Sequence, residues 1–188
     1  MFWCSSVSNS PSFDRALEDI TRDISVKLGN KKADLAIIFI SSHHSSDYEE
    51  VSKKIKNAIN CDKVIGCSAS GVIGEGQEFE YLPGISIIVA SLPNVKITPF
   101  HFYQDELPSP DEGPKSWEKI VGNTGKDPET IMLFPDPFSI RTEYVLDGLD
   151  FAFPRSKTIG ALASGGNKPG ENAMFVNEKT YYKGSCGL

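Results

Sequence analysis

The sequence lacks a basic run, a long hydrophobic stretch and any pair of cysteines at metal-binding spacing. Its 19 Lys and Arg residues are outnumbered by 25 Asp and Glu, which gives a net charge of −6. Binding to nucleic acid or to anionic lipid needs a basic face, and a membrane-spanning helix needs about 20 apolar residues. We therefore expect neither nucleic acid nor a membrane among its partners.

The few cysteines and histidines also exclude several kinds of site. No CxxC pair occurs, and His43 and His44 have no partner at zinc-finger spacing, so we expect no structural metal. Gly71 is followed by Val72 and not by a P-loop lysine, and no GxGxxG motif occurs, so no nucleotide cofactor is predicted. Widely spread thiols are typical of a reducing compartment, which predicts a cytoplasmic protein. The four cysteines are Cys4, Cys61, Cys67 and Cys186.

What is present is an ordinary globular composition that alternates helical and strand patterns. Apolar residues at helical spacing predict a first helix from Phe13 to Leu28, with Ser10 as its N-cap. The run from Ala33 to Ser41 predicts a strand buried on both faces. Ser46 and Glu49 form a capping-box pattern that predicts a second helix. Strands are predicted to begin at Val64 and to cover residues 85–92 and 95–102.

The same order begins again after an acidic, proline-containing stretch at 104–114, which we interpret as a linker. A short helix around Trp117 is followed by a predicted strand at 131–134 and by a helix from Ser139 to Phe153. A strand at Thr158 then leads into a second glycine-rich segment.

An internal repeat underlies this order. A shift of 94 residues aligns 37–76 with 131–170 without a gap and gives 12 identities in 40 positions, against roughly two or three expected from composition. Coincidence is the alternative. We interpret 12–103 and 115–188 as two βαββ-type repeats related by a pseudo-twofold, within one α/β domain over 1–188 that has a mixed sheet with flanking helices. The second repeat stops at the start of a strand, which predicts that the chain is a piece of a longer protein.

Glycine-rich segments follow corresponding strands in both repeats. Small residues there allow backbone N–H groups and hydroxyls to surround a ligand, or allow two elements to pack tightly. Both interpretations stay open. The candidate ligand-binding residues in these segments are Gly66, Cys67, Ser68, Ser70 and Gly71 in the first, and Gly160, Ser164 and Gly165 in the second.

Two further features lie at the predicted sheet edge. Cys67 with His43 or His44 could form the thiol–imidazole pair of a hydrolase or transferase, although a buried thiol beside loop histidines is the alternative. The second repeat has Ala161 in place of Cys67, so that such a site would belong to one half only. Asp136 could bind the amine of a small ligand or cap the following helix.

The residues 33–39, 64–71 and 84–86, followed by 149–154, 160–166 and 184–188, resemble the N-terminal part of the FIST domain (F-box and intracellular signal transduction). Ala161 departs from the glycine expected in the second motif. The resemblance implies a sensory module that binds small ligands such as amino acids, and it brings no established catalytic residues. It also implies a C-terminal FIST portion or output domain beyond this chain. A protein-interaction scaffold without a small ligand is the remaining alternative.

Overall fold

The computed structural model describes residues 1–123, 125 and 127–188. In this part of the chain, mixed β-sheets combine with α-helices on their outer faces, which confirms the predicted α/β fold. The first half of the chain contributes eight regular elements. They are β1 (Phe2–Ser8), α1 (Phe13–Leu28), β2 (Ala33–Ser41), α2 (Tyr48–Ile59), β3 (Cys61–Ala69), β4 (Gly71–Gly74), β5 (Gln77–Glu80) and β6 (Ile85–Ser91).

The second half contributes the same kinds of elements in the same order. They are β7 (Phe100–Phe102), α3 (Pro114–Ile120), β8 (Thr130–Pro135), α4 (Thr142–Ala152), β9 (Lys157–Gly160), β10 (Met174–Val176), β11 (Lys179–Tyr181) and β12 (Ser185–Gly187).

The two main sheets have corresponding strand orders. The larger sheet runs β1-β6-β2-β3-β10-β11 and the smaller sheet runs β7-β12-β8-β9, while β4 and β5 form a separate hairpin. The pairs β2–β3 and β8–β9 are parallel, and their other neighbours are antiparallel. The matching orders support the predicted repeat, which stays a prediction. The registers differ by one residue, because Ile37 pairs with Ile65 whereas Ile131 pairs with Thr158.

The hairpin β10–β11 joins the two halves. Although it belongs to the second half of the chain, β10 pairs with β3 and so extends the sheet of the first half. Phe175 lies opposite Gly66 in this antiparallel pair. The chain therefore cannot complete its larger sheet without residues that follow both parallel strand pairs.

The packing places the two sheets face to face, with helices outside. One core lies between the larger sheet and α1 and α2, and another lies between the smaller sheet and α3 and α4. A third core fills the space between the sheets, where the rings of Phe39 and Phe134 meet at 5.5 Å. Helix α1 illustrates the cause, since its buried residues recur at helical spacing and point to one sheet.

Several boundaries differ from the sequence predictions. Ser12, not Ser10, caps α1 and accepts a hydrogen bond from the Arg15 amide. A 3-10 turn at Ser42–Asp47 replaces the predicted capping box before α2, and α4 begins at Thr142 instead of Ser139. Of the predicted strand at 95–102, only β7 forms, and it pairs with β12 in the second sheet. Pro99 cannot donate a backbone hydrogen bond to a sheet, which limits the length of β7.

The predicted linker at 104–114 packs against the second half. It contains a short 3-10 turn, Gln104–Glu106, whose Gln104 side chain accepts a hydrogen bond from the Arg141 amide at 2.8 Å. The Tyr144 hydroxyl donates to the carbonyl of Pro108 at 2.6 Å. These two contacts tie the segment to the start of α4.

Candidate functional site

The first glycine-rich segment lies mostly within strand β3. Gly66 pairs with Ile38 on one side and with Phe175 on the other, so that both edges of its backbone are used by the sheet. A Cβ atom at Gly66 would lie 1.9 Å from the carbonyl oxygen of Ile38. The close approach of β2 and β3 therefore explains why residue 66 is a glycine. Gly71 is the first residue of the hairpin strand β4.

Cys67 and Ser68 are buried at the end of the same strand. Burial raises the pKa of Cys67 to about 12, which keeps the thiol protonated near neutral pH. The Ser68 hydroxyl accepts a hydrogen bond from the Ala173 amide at 3.0 Å. Both side chains therefore face protein atoms and not an open cavity.

The two glycine-rich segments contact each other directly. The Ser164 amide donates to the Ser68 carbonyl at 3.0 Å, and the Ser70 amide donates to the Ser164 hydroxyl at 3.2 Å. Gly165 has a φ of +97°, and a Cβ there would lie 2.8 Å from the Ala69 carbonyl oxygen. The geometry at this junction favours tight packing over a shared ligand cradle.

The two histidines occupy different environments. His43 is exposed, whereas His44 is buried and packs edge-on against Phe13 with ring centroids 6.2 Å apart. Within the described residues, the Nε2 atom of His44 has no hydrogen-bond partner, and burial lowers its pKa. Cys67 makes no hydrogen bond to either histidine in the same part of the chain. The contact that an activated thiolate needs is not formed there.

Asp136 lies inside a buried hydrogen-bond network. Its carboxylate accepts from the Ser139 hydroxyl at 2.5 Å and from the Asn172 amide at 3.0 Å. Asn172 also donates to the carbonyl of Ala163 and accepts from the amide of Gly166. The Asp136 carboxylate therefore holds the end of β8 to the second glycine-rich segment.

One cavity borders a predicted site residue. It has a volume of about 290 Å³ and lies between the first turn of α4 and the strands β8 and β9; we call it the β9 groove. Its lining residues are Leu133, Pro135, Thr142, Leu146, Thr158, Ile159, Gly160, Ala161 and Leu162. A smaller cavity of about 190 Å³ lies beside Trp117 and Tyr144 and contacts none of the predicted site residues.

The same place in the first half is closed. The predicted repeat register pairs each residue of the β9 groove with one 94 positions earlier. In that register Thr142 corresponds to Tyr48, Leu146 to Ser52 and Leu162 to Ser68. Tyr48, Ser52 and Ser68 are buried, whereas Leu146 and Leu162 are 37% and 50% exposed. The two leucines were not predicted as site residues from the sequence. The available signal was that the 94-residue alignment pairs each of them with a serine.

Polar groups reach the β9 groove at the start of α4. Within the described residues, the side chain of the N-cap residue Arg141 makes no capping hydrogen bond to the first amides of the helix. The amino end of a helix carries a partial positive charge that favours a carboxylate. Thr142 and Thr158 add hydroxyl groups to the lining.

Two classes of site find no place in the described part of the chain. Over residues 1–123, 125 and 127–188, no three His, Cys, Asp or Glu side chains form a group that could hold a metal ion. None of the helices found there combines the length and the apolar character that crossing a bilayer requires.

Comparison with known proteins agrees with the family resemblance seen in the sequence. The profile of the FIST N domain matches residues 34–188. An uncharacterized protein of Mycobacterium tuberculosis is 23% identical over 97% of this chain, which covers 46% of the relative. An uncharacterized protein of Mycobacterium bovis is 20% identical over 97% of the chain, which covers 45% of it. The chain thus spans about half the length of the curated relatives that it matches.

Proposed function

Because the chain belongs to the FIST N domain family, a family of sensory domains in signal transduction, we propose that it senses a small molecule in the β9 groove. The ligand that fits best is a free amino acid with an aliphatic side chain. The observation that carries this proposal is an apolar groove that ends at an uncapped helix terminus. The groove contains Gly160 and is narrower than the site predicted from the sequence, which drew on both glycine-rich segments and stays a prediction.

Size and polarity support an amino acid. A volume of about 290 Å³ lies just below the range for drug-sized ligands, which starts near 300 Å³, and so suits a ligand as small as an amino acid. Leu133, Leu146 and Leu162 provide apolar surface for an aliphatic side chain. The ligand carboxylate would accept hydrogen bonds from the first amides of α4, beside Thr142.

Thermal unfolding in the presence of the twenty amino acids tests the proposal. A ligand at 100 times its Kd stabilises the folded state by about 2.7 kcal/mol, which raises the Tm of a chain of this length by roughly 5–10 °C. Leucine, isoleucine or valine should give this shift. If no amino acid changes the Tm, the ligand class is wrong.

A matched pair of variants locates the site. Leu162 and Leu82 both lie in irregular segments and are 50% and 49% exposed, so that aspartate at either position should affect folding equally. Leu162→Asp should weaken binding at least tenfold, about 1.4 kcal/mol, because it places a charge beside the ligand side chain. Leu82→Asp should bind as the wild type does. Equal affinities of the two variants would place the ligand elsewhere.

The ligand itself offers a second control. Leucinamide keeps the side chain and the ammonium group of leucine but has no carboxylate. If the α4 amides bind the carboxylate, leucinamide should bind at least about tenfold more weakly than leucine. Isothermal titration of both compounds measures the difference, and equal binding would exclude the helix terminus as the carboxylate site.

A further inference from the structure

Strand β9 forms an open edge of the smaller sheet. Within the described residues it pairs with β8 and with no other strand. Ile159 on this strand is 51% exposed, and Leu162 just beyond it is half exposed. Unpaired backbone groups beside apolar side chains readily accept another strand.

The corresponding edge in the first half is covered. Strand β10 pairs antiparallel with β3 and places Phe175 opposite Gly66. The Phe175 ring also packs against Tyr48, with centroids 5.7 Å apart. Residues on both sides of this pair continue the contact, since the Ser68 amide donates to the Ala173 carbonyl and the Asn177 amide to the Val64 carbonyl.

The hairpin also covers the flank of α2. The Thr180 hydroxyl donates to the Tyr48 carbonyl at 2.8 Å, and Lys56 and Glu178 form an ion pair at 2.6 Å. These contacts seal the place that corresponds to the β9 groove. The first half thus shows what closes such a groove: an antiparallel hairpin with an aromatic residue opposite the glycine.

No equivalent cover reaches β9 in the described part of the chain. The hairpin β4–β5 occupies the corresponding position in chain order, but it packs on the first sheet. A Cβ at Gly74 would lie 2.8 Å from Val7, and the Ser86 hydroxyl donates to the Ile73 carbonyl at 2.7 Å. In the described residues, no hairpin therefore covers Gly160 and the neighbouring Leu146.

We infer that a β-hairpin from the other half of a full-length FIST protein pairs antiparallel with β9 and closes the β9 groove. The relatives are about twice as long as the matched region, so a further segment of similar length is available in such proteins. The pairing strand carries a large apolar side chain opposite Gly160, as Phe175 lies opposite Gly66. This inference rests on the proposed function for the role of the groove, because the hairpin then forms the fourth wall of the ligand site.

Closure of the groove by the other half would connect sensing to output. The ligand and the hairpin share Leu146, Gly160 and Leu162 as contact surface. A ligand that binds the closed form better than the open form shifts the equilibrium toward the docked hairpin. Ligand occupancy in one half thereby changes the position of the other half.

Hydrogen exchange tests the docked strand. The full-length gene product and residues 1–188 alone are compared by mass spectrometry, without ligand and then with a saturating aliphatic amino acid. Lys157 and Ala161 already donate to Glu129 and Leu133 on the side of β8, so the intervening amides of Thr158 and Gly160 face the open edge. These two amides should exchange at least about 100-fold more slowly in the full-length protein, because they gain partners in the hairpin. Amides of 77–80 in β5 serve as the matched control and should exchange equally in both.

The outcomes separate the two proposals. Equal exchange of the Thr158 and Gly160 amides in both proteins, or a gene product without a second half, overturns the hairpin even if leucine binds. Protection that appears in residues 1–188 alone and rises with concentration assigns the edge to a second copy and also overturns it. Slow exchange in the full-length protein without any effect of amino acids supports the hairpin and contradicts the ligand.

Discussion

At the scale of single residues, Gly66 lies where β2 and β3 approach each other closely. Its backbone pairs with Ile38 on one side and with Phe175 on the other. Gly66→Ala would place Cβ 1.9 Å from a backbone oxygen that cannot rotate away. We expect a loss of about 3 kcal/mol in the free energy of unfolding, measured with urea.

Gly113→Ala is the matched control for this substitution. Gly113 has a negative φ, and no neighbouring atom lies within 4 Å of the position that a Cβ would take, so alanine meets no obstacle there. The change should cost less than about 1 kcal/mol. Similar losses at Gly66 and Gly113 would show that the strands can separate to admit a methyl group.

His44 makes the stability of the domain depend on pH. Burial lowers its pKa, with a smaller opposing effect from Asp47 and a reinforcing one from His43. The unfolded chain therefore binds a proton more readily than the folded one, and stability present above about pH 6.5 is lost as the pH falls. His44→Phe should be less sensitive to acid than the wild type between pH 7.5 and 5.5.

Urea unfolding at these two pH values measures the difference. His101, whose pKa is also lowered by burial, should leave a residual dependence in the variant. His43→Gln is the control, because His43 is exposed. An unchanged pH dependence in His44→Phe would mean that the wild-type imidazole has a hydrogen-bond acceptor in solution, so that burial does not lower its pKa.

At the scale of elements, one side-chain amide connects β8, the second glycine-rich segment and the start of β10. Asn172 bonds to Asp136, Ala163 and Gly166 and is almost fully buried. Asn172→Ala removes one hydrogen-bond partner from each of these buried groups, which should cost about 2–4 kcal/mol.

The exposed Asn167 lies in the same segment and provides the control. Its side chain can be removed by Asn167→Ala with a change below about 0.5 kcal/mol, as at most surface positions. Thermal unfolding of both variants makes the comparison. Equal Tm values would mean that water replaces the Asn172 amide without loss.

The predictability of the elements follows from the strength of their local patterns. Strand β2 was predicted with correct bounds and helix α1 with the correct end at Leu28, since 9 and 16 residues carry a regular apolar pattern. Strand β1 was not predicted because its serines give little hydrophobic contrast. Its partner β6 is also distant in the sequence, at the other end of the first half. The three-residue strands β10 to β12 exist through their partners and have no pattern of their own.

At the scale of the whole molecule, two of the buried cysteines can be labelled only when the fold opens. Cys67 and Cys186 lie in the core between the two sheets, and burial raises the pKa of both thiols. Iodoacetamide should label the partly exposed Cys4 at least about 100-fold faster, because Cys67 and Cys186 become accessible only when the sheets separate.

Mass spectrometry of the labelled protein with time measures these rates. Added urea should accelerate labelling of Cys67 and Cys186 together, as expected for one cooperative opening. Rapid labelling of Cys67 in the native protein would instead revive the thiol-enzyme alternative with His43 or His44.

The candidate site was predictable only in part, for a reason that concerns the whole molecule. The sequence pointed to Gly160 because it follows a strand, and Gly160 does line the β9 groove. It could not show that β10 fills the first edge and leaves the second open, because strand pairing between distant segments leaves no local signal. Asp136 was placed near the sheet edge, but its partner Asn172 lies 36 residues away.

The insertion of β10 beside β3 has a consequence for synthesis. Strand β3 ends at Ala69, but the strand that covers its edge does not begin until Met174. At roughly 5–20 residues per second, a ribosome needs on the order of ten seconds to make the intervening chain. During that interval the nascent first half exposes an apolar edge. Chaperone binding to ribosome-attached chains should therefore persist until the hairpin has emerged from the exit tunnel.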